Sequence, residues 1–187
     1  FLIFNADPHP GNYLLLKDGK VAFLDFGLVR SVDPGTLQQL LEIVQALIED
    51  DRQRGRMALE KIGILNRRTP EIDAVWEHLK MLNAPILEDK PFKIDSPLVQ
   101  EMASAGFDPR SNAFQTLRKV GVPGIMITFN RMSFGVASIL ARLEATANWQ
   151  AIARELWEGD PCGTDLGKLE LEWVSRAHPD HVPPLKN

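Results

Sequence analysis

Three polar side chains near the start of the sequence have the types and spacing needed for phosphoryl-transfer chemistry. Asp7 and Asn12 stand five positions apart in the stretch NADPHPGN, and Asp25 opens the later tripeptide DFG. Mg²⁺ takes oxygen ligands, of which usually one or two come from protein carboxylates and the rest from water and phosphate. Asn12 and Asp25 could supply such ligands, while Asp7 could orient an attacking hydroxyl or water and accept its proton. Kinases divide these roles in the same way.

A β-hairpin is predicted to bring Asn12 and Asp25 together. The pair Asp18-Gly19 separates two apolar runs and is a strong signal for a two-residue turn. With that turn Asn12 lies opposite Asp25, and directly opposed residues have Cβ atoms about 5 Å apart. A three-residue turn with a bulge would shift the pairing by one residue. Both faces of the hairpin are apolar, so the hairpin and Phe1–Phe4 are expected to form a small, largely buried sheet.

The stretch ADPHPGN followed by LDFG resembles the signature of the AarF/UbiB family of atypical, protein-kinase-like proteins. A lone DFG is a weak motif, and the specificity comes from the ordered combination. The resemblance implies Asp7 as the catalytic-loop aspartate, Asn12 and Asp25 as Mg²⁺ ligands, and ATP as the nucleotide. His9 belongs to the HPGN part of the nucleotide site and is expected to brace the loop. Asn5 stands where the family often has His, which raises a question about loop geometry.

The resemblance also implies a function. UbiB-like proteins support isoprenoid-quinone metabolism, with ATPase activity coupled to membrane lipids, so a small-molecule or lipid-linked acceptor and peripheral membrane association are expected. Only Leu28–Asp33 separate DFG from the next predicted helix, and no A-P-E motif follows. Kinases that act on proteins use a longer segment there, so a protein substrate is disfavoured. The sequence begins without Met in an apparent strand, and it is expected to be a C-terminal lobe that lacks its N-terminal lobe and binds ATP poorly alone.

Two other functions remain open at this point. The aminoglycoside/choline phosphotransferase group uses a D-x-H-x-x-N loop with the same spacing, although the unbroken DPHPGN with DFG favours the UbiB-like interpretation. The sequence could also be a non-catalytic kinase-like binding module. The presence of Asp7, Asn12 and Asp25 together argues against that alternative. UbiB-type signatures upstream would separate the first two functions, and nucleotide turnover would separate the third.

Composition limits the remaining possibilities. A chain of 187 residues with 44% hydrophobic and 25% charged residues is typical of a soluble globular protein with one substantial core. The net charge of −4, without a long basic block, argues against nucleic acid as a partner. The single cysteine, Cys162, excludes an internal disulfide and fits a reducing compartment, either cytoplasmic or at a membrane periphery.

Most of the chain after DFG has helical patterns, so the predicted fold class is mainly α with a small β-hairpin or sheet (α+β), as the resemblance implies for the C-lobe of a protein-kinase-like fold. Asp33 is the predicted N-cap of a helix that begins at Pro34 and continues to about Asp51. The run from Pro123 to Leu143 is apolar enough to raise the question of a membrane span, but Arg131 in its middle favours a buried core helix.

Other helices are predicted at Arg54–Ile62, from Thr69 onwards, and at Ser96–Ala105, Ala113–Val120, Trp149–Trp157 and Leu166–Arg176. The predicted organisation has three parts. Residues 1–30 hold the catalytic loop, hairpin and DFG, residues 31–160 form the helical C-lobe, and residues 161–187 form a C-terminal segment and tail.

Overall fold

The structure is a computed structural model that describes residues 2–66, 72–107, 110, 115 and 120–177. The strands within this part of the chain are β1 (Ile3–Asn5), β2 (Tyr13–Leu15), β3 (Val21–Phe23), β4 (Val29–Ser31), β5 (Phe92–Lys93) and β6 (Thr146–Ala147). The helices are α1 (Pro34–Glu49), α2 (Arg52–Lys61), α3 (Asp73–Asn83), α4 (Ser96–Phe107), α5 (Gly124–Arg142), α6 (Trp149–Glu158) and α7 (Asp165–Ala177). The predicted fold class, mainly α with small β elements, is confirmed.

The chain divides into two compact units. Of the described residues, one unit contains 2–82 and 94–145, and the other contains 83–93 and 146–177. The first unit carries all the candidate site residues. In the second unit β5 pairs with β6, and the indole Nε1 of Trp149 donates a hydrogen bond to the carbonyl of Phe92 at 2.8 Å. The division predicted from the sequence, at residues 30 and 160, stays a prediction.

Helix α1 begins at Pro34 as its sequence predicts, and it ends at Glu49, two residues before the predicted end. The Asp33 carboxylate accepts a hydrogen bond from the Thr36 amide at 2.9 Å, and Pro34 occupies the first helical position, where no amide donor is needed. The helix ends at Glu49 because Asp50 adopts the left-handed conformation, with φ of 53°. The N-cap signal acts over only a few residues, and for that reason the sequence alone could predict the start of the helix.

Trp76 of α3 is the centre of the buried core in the first unit. Its ring is fully buried, as are the side chains of Leu47 and Leu59 from α1 and α2. The ring lies against the backbone of α2 at Gly55, where an added Cβ would be 2.1 Å from the ring atom Cζ3. The indole Nε1 donates a hydrogen bond to the Asp50 carboxylate at 3.0 Å. Trp76 therefore joins α3 to both α1 and α2.

The β-structure differs from the predicted single sheet. β1 pairs with β4 in an antiparallel sheet, and the hairpin β2–β3 forms a separate two-stranded sheet. The sequence reasoning did not predict β4, which lies between DFG and α1. The hairpin is also not buried, since its apolar side chains are largely exposed. An apolar pattern indicates a surface whose burial would be favourable, but only the tertiary structure decides whether another element packs on it.

Helix α5 is not the buried core helix that the sequence predicted. Its side chains are mostly half-buried or exposed, and Ala141 is its one buried residue. In the part of the chain that the structure describes, α5 is also the one helix long and apolar enough to cross a membrane, and a single such helix is weak evidence for a span. The helix predicted at Ala113–Val120 lies almost wholly outside the described residues, as do the start of the helix expected from Thr69 and the C-terminal tail.

Candidate functional site

The hairpin register differs by one residue from the predicted one. Tyr13 pairs with Phe23, and the Leu24 amide donates a hydrogen bond to the Asn12 carbonyl at 2.9 Å. Asn12 therefore lies opposite Leu24 and not opposite Asp25. The turn has three residues, Lys17–Gly19, because Gly19 takes the left-handed conformation, with φ of 80°, at the last turn position. A three-residue hairpin loop ends in this way, with a glycine at the left-handed position.

The strand pair β1–β4, more than the hairpin, brings the loop that carries Asp7 to the DFG segment. Asn5 pairs with Val29, and the Ala6 amide donates a hydrogen bond to the Leu28 carbonyl at 2.8 Å. Asp7 directly follows Ala6, and Gly27 directly precedes Leu28. The two loops thus leave the same end of one small sheet.

Asn5 links the two loops through its side chain. Its Oδ1 accepts a hydrogen bond from the Asp7 amide at 2.9 Å, and its Nδ2 donates to the Asp25 carbonyl at 3.4 Å. The residue that departs from the family pattern therefore still braces the loop. One carboxamide can do so because it carries both a donor and an acceptor.

His9 and Asn12 complete the hydrogen-bonding of the loop. His9 Nδ1 accepts a hydrogen bond from the Gly11 amide at 3.0 Å, and the His9 carbonyl accepts one from the Asn12 amide at 2.9 Å. This exposed imidazole caps a single 3₁₀ turn, Pro10–Asn12, that leads into β2. Asn12 Nδ2 donates a long hydrogen bond to the Asp7 carbonyl at 3.4 Å. That contact uses the amide nitrogen of Asn12 and leaves its Oδ1 as the atom able to bind a cation.

Asn12 and Asp25 carry oxygen atoms of the chemical type that a magnesium ion takes as ligands. Asp25 Oδ1 accepts a hydrogen bond from the Gly27 amide at 2.7 Å, and no described residue donates to its Oδ2. An amide oxygen and a carboxylate oxygen are hard ligands of the kind that Mg²⁺ prefers. Among the described residues no group of three or more His, Cys, Asp or Glu side chains could hold a metal ion. The chemistry of this donor set therefore suits a Mg²⁺ ion whose other ligands are water and phosphate.

Arg131 is a site residue that the sequence reasoning missed. Its Nη2 donates to Asp7 Oδ1 at 2.8 Å, although the two residues are 124 positions apart. The side chains of Arg131 and Asp7 are 61% and 42% exposed, so water screens the ion pair and its contribution to stability is small. Its effect is to orient the carboxylate. The signal in the sequence was an arginine in the middle of an apolar run, which was used only to argue against a membrane span.

Two further contacts hold α5 against the loop that carries Asp7. Phe129 stacks on Phe4, with ring centroids 4.6 Å apart. At Gly135 an added Cβ would lie 2.5 Å from Pro8 Cγ, so only glycine allows this close approach. Because α5 touches residues on both sides of Asp7, it positions Arg131 over the loop.

The electrostatic effect of Asp7 extends to Tyr13. Partial burial, and then the negative charge of Asp7, raise the pKa of the Tyr13 phenol. Tyr13 is therefore neutral throughout the physiological pH range, and its ring packs edge-to-face on Phe23, with centroids 5.2 Å apart.

Comparisons with known proteins find one matching family. Residues 1–58 match the ABC1 atypical kinase-like domain family. The protein ACTIVITY OF BC1 COMPLEX KINASE 1, chloroplastic, from Arabidopsis thaliana is 30% identical over 84 residues, which are 42% of this chain and 12% of that protein. An uncharacterised, chloroplastic aarF domain-containing protein kinase from the same plant is 36% identical over 64 residues, which are 34% of this chain and 12% of that protein.

A solved structure supports the fold over a longer range. The complex of Rv3197 with erythromycin from Mycobacterium tuberculosis matches with a TM-score of 0.65 and 22% identity, over 83% of this chain and 38% of that one. At this identity the likeness shows the fold alone. The matched family segment includes Asp7, Asn12 and Asp25 together with the strands that position them. Residues 1–58 of this chain are thus similar to the ABC1 atypical kinase-like domain family, and its fold is kinase-like.

Proposed function

We propose that this chain is the C-terminal catalytic lobe of a UbiB-type atypical kinase or ATPase that uses ATP and Mg²⁺. One observation carries the proposal: the β1–β4 pair joins the Asp7 loop to the DFG segment, and Asn5 is hydrogen-bonded to the backbone of both Asp7 and Asp25. Phosphoryl transfer needs the group that orients the acceptor and the groups that bind the metal at a fixed separation. A braced pair of loops meets that need.

Each side chain then has a defined role. Asp7 accepts a hydrogen bond from the acceptor hydroxyl or water and takes its proton, while Arg131 holds Oδ1 of the same carboxylate. Asn12 and Asp25 bind the Mg²⁺ ion through oxygen atoms. When bound, that ion neutralises charge on the phosphates of ATP. His9 keeps the loop in the conformation that presents Asn12.

The acceptor is proposed to be a small or lipid-linked molecule. Only Leu28, β4 and Val32 separate DFG from the N-cap of α1, so this chain has no long segment there on which a protein substrate could dock. A role in isoprenoid-quinone or membrane-lipid metabolism, at a membrane periphery or in the cytoplasm, follows from the AarF/UbiB resemblance. The net charge of −4 continues to argue against nucleic acid as a partner.

An aminoglycoside- or choline-type phosphotransferase is the second candidate function, because the D-x-H-x-x-N loop also fits that group. The short link between DFG and α1 is compatible with either function. A non-catalytic binding module is the third candidate. It is disfavoured because Asp7, Asn12 and Asp25 are all present and the loops that carry them are braced by side-chain hydrogen bonds.

The test is Mg²⁺-dependent ATP turnover by the full-length protein, measured with and without lipid vesicles. The matched control is Asp7→Asn, which keeps the shape of the side chain and an oxygen for Arg131. We expect vesicles to stimulate turnover and Asp7→Asn to lower it by about a hundredfold or more, as for loss of a group that transfers a proton.

Three results would contradict the proposal. Transfer of phosphate to a soluble amino alcohol or aminoglycoside, without an effect of vesicles, would favour the phosphotransferase alternative. Absence of nucleotide binding would favour the binding module. Full turnover by Asp7→Asn would remove Asp7 from the mechanism.

A further inference from the structure

Arg131 presents unused hydrogen-bond donors beside the proposed catalytic aspartate. A guanidinium carries several N–H donors, and the hydrogen bond from Nη2 to Asp7 Oδ1 is the one polar contact of this side chain among the described residues. The side chain is mostly exposed to water, and the sequence of α5 contains no acidic residue that could pair with it. The other donors of Arg131 are therefore available to a bound anion.

Helix α5 fixes this arginine next to the loop through two consecutive turns. Residues four positions apart lie on the same face of a helix, and Gly135, four positions after Arg131, closely approaches Pro8. One turn of α5 thus contacts Pro8, and the preceding turn carries the side chain that holds Asp7. The position of the guanidinium is therefore set by a helix and not by the loop itself.

The segment that carries Asp7 and Asn12 has no cationic lysine or arginine of its own. Residues 1–16 contain neither type, and among the described residues Arg131 is the one cation paired with a carboxylate of the candidate site. Negative charge spreads over the oxygens of a phosphoryl group during its transfer, and enzymes stabilise this charge with arginine or lysine in addition to a metal ion. An arginine that reaches the site from a distant helix can meet this need.

Asp7 leaves one carboxylate oxygen for the acceptor. Its Oδ1 is held by Arg131, and no described residue donates a hydrogen bond to its Oδ2. An acceptor hydroxyl on Oδ2 lies at hydrogen-bond distance, and its oxygen must approach the phosphorus to about 3–3.5 Å before transfer. The γ-phosphorus is thus required to lie within about 7 Å of this carboxylate, which is within reach of a guanidinium already bonded to Oδ1.

We propose that Arg131 is a further catalytic residue, which binds the γ-phosphate of ATP through its free N–H donors while Nη2 stays on Asp7. This inference rests on the proposed function. During transfer the acceptor oxygen forms a bond to the γ-phosphorus, and the bond from that phosphorus to the bridging oxygen breaks with its electron pair leaving on ADP. The proton of the acceptor passes to Asp7 Oδ2. Arg131 balances the negative charge on the transferred group and keeps that group beside Asp7.

The first test is nucleotide binding without turnover. N-methylanthraniloyl derivatives of ADP and of the non-hydrolysable ATP analogue AMPPNP, each with Mg²⁺, are titrated against the full-length protein by fluorescence. For Arg131→Gln we expect the affinity for the AMPPNP derivative to fall about tenfold or more, as for loss of a charged hydrogen bond, and the affinity for the ADP derivative to stay within about twofold of the wild type. Equal losses for the two nucleotides, or no loss, would overturn the contact with the γ-phosphate.

The second test is turnover, which separates contact with phosphate from a role in positioning Asp7 alone. Arg131→Gln should lower kcat by about a thousandfold. Arg131→Lys keeps the charge without the planar fork, so it should recover part of kcat and part of the affinity for the AMPPNP derivative. The matched control is Arg142→Gln, which removes the same charge from the end of α5, about 16 Å along the helix, and should change neither kcat nor either affinity.

The outcomes distinguish this inference from the proposed function. If the wild type turns over ATP and a folded Arg131→Gln protein binds both nucleotides normally, the role of Arg131 is wrong and the proposed function stands. If the wild type binds no nucleotide, both are wrong. Circular dichroism establishes that each variant is folded, which is expected because the side chain of Arg131 is 61% exposed.

Discussion

Two neighbouring regions of the first unit are held together by different forces. In the region that carries the candidate chemistry, residues 2–31, apolar side chains stay in water, with Leu15, Phe23 and Phe26 exposed by 67%, 55% and 63%. In the helical region α1–α3 that follows, Leu47 and Trp76 are 2% and 0% exposed. The first region is organised by strand register and by hydrogen bonds that the side chains of Asn5, His9 and Asn12 form with the backbone, whereas buried apolar surface organises the second.

Because of this difference, we expect activity and stability to depend on different residues. Hydrogen bonds are directional and contribute about 0.5–1.5 kcal/mol each, so they can set the position of a loop without adding much to the free energy of unfolding. The hydrophobic effect from burying a large aromatic side chain is not directional, but it contributes more to the free energy of unfolding. We therefore expect substitutions in residues 2–31 to change chemistry, and substitutions around Trp76 to change stability.

The largest effect is expected for Trp76→Ala. Loss of a fully buried tryptophan leaves a cavity, and the free energy of unfolding should fall by about 3–5 kcal/mol. Urea denaturation of the full-length protein, followed by circular dichroism, measures this change. Mg²⁺-dependent turnover per folded molecule should remain within a few-fold of the wild type. A loss of stability below about 1 kcal/mol would show that the core is not centred on Trp76.

The next largest effect is expected for Asp25→Asn. This variant keeps an oxygen to accept the Gly27 amide but weakens the metal site, so turnover should fall by about a hundredfold or more, since a metal ion supplies several kcal/mol of transition-state stabilisation. The midpoint of thermal unfolding should stay unchanged. Near-normal turnover would contradict the proposed role of Asp25 and the separation between the two regions.

A smaller effect is expected for Gly55→Ala. The added methyl group would overlap the Trp76 ring, since an ideal Cβ lies 2.1 Å from Cζ3, and overpacking of this kind costs about 1–3 kcal/mol. Gly124→Ala is the matched control, because Gly124 is also a helical residue and an added Cβ there would have no atom within 4 Å. Chemical denaturation of both variants measures the difference. Equal stabilities would show that α3 does not pack on α2 through this ring.

The smallest effect is a pH dependence at the N-cap of α1. The hydrogen bond from Thr36 lowers the pKa of Asp33, so the ionised cap stabilises the folded state above the unfolded pKa, and this contribution is lost as the pH falls through the folded pKa. Asp33→Asn keeps a capping oxygen that does not titrate. The Tm of the wild type relative to Asp33→Asn should therefore be constant above pH about 5 and fall by about 2 °C toward pH 3. If the difference in Tm between the two proteins stays constant over the whole pH range, ionisation of Asp33 does not stabilise the helix.

Much of the candidate site could be predicted from the sequence because its parts are local. Asp7, Asn12 and Asp25 were identified by type and spacing, and the match of residues 1–58 supports the family from which their roles were inferred. The hairpin was also predicted, but its register was wrong. Asp18-Gly19 is compatible with a two-residue turn and with a three-residue turn that ends in a left-handed glycine, so this dipeptide alone does not distinguish the two registers.

By itself the sequence predicted the candidate residues Asp7, Asn12 and Asp25, the family resemblance and the capped start of α1, since each depends on residues only a few positions apart. The tertiary structure decided that β4 pairs with β1, that the hairpin stays exposed, and that Arg131 meets Asp7 from 124 positions away. Local turns and caps have short-range signals in neighbouring side chains. Pairings between distant segments depend on the sum of many weak contacts, which no short stretch of sequence contains.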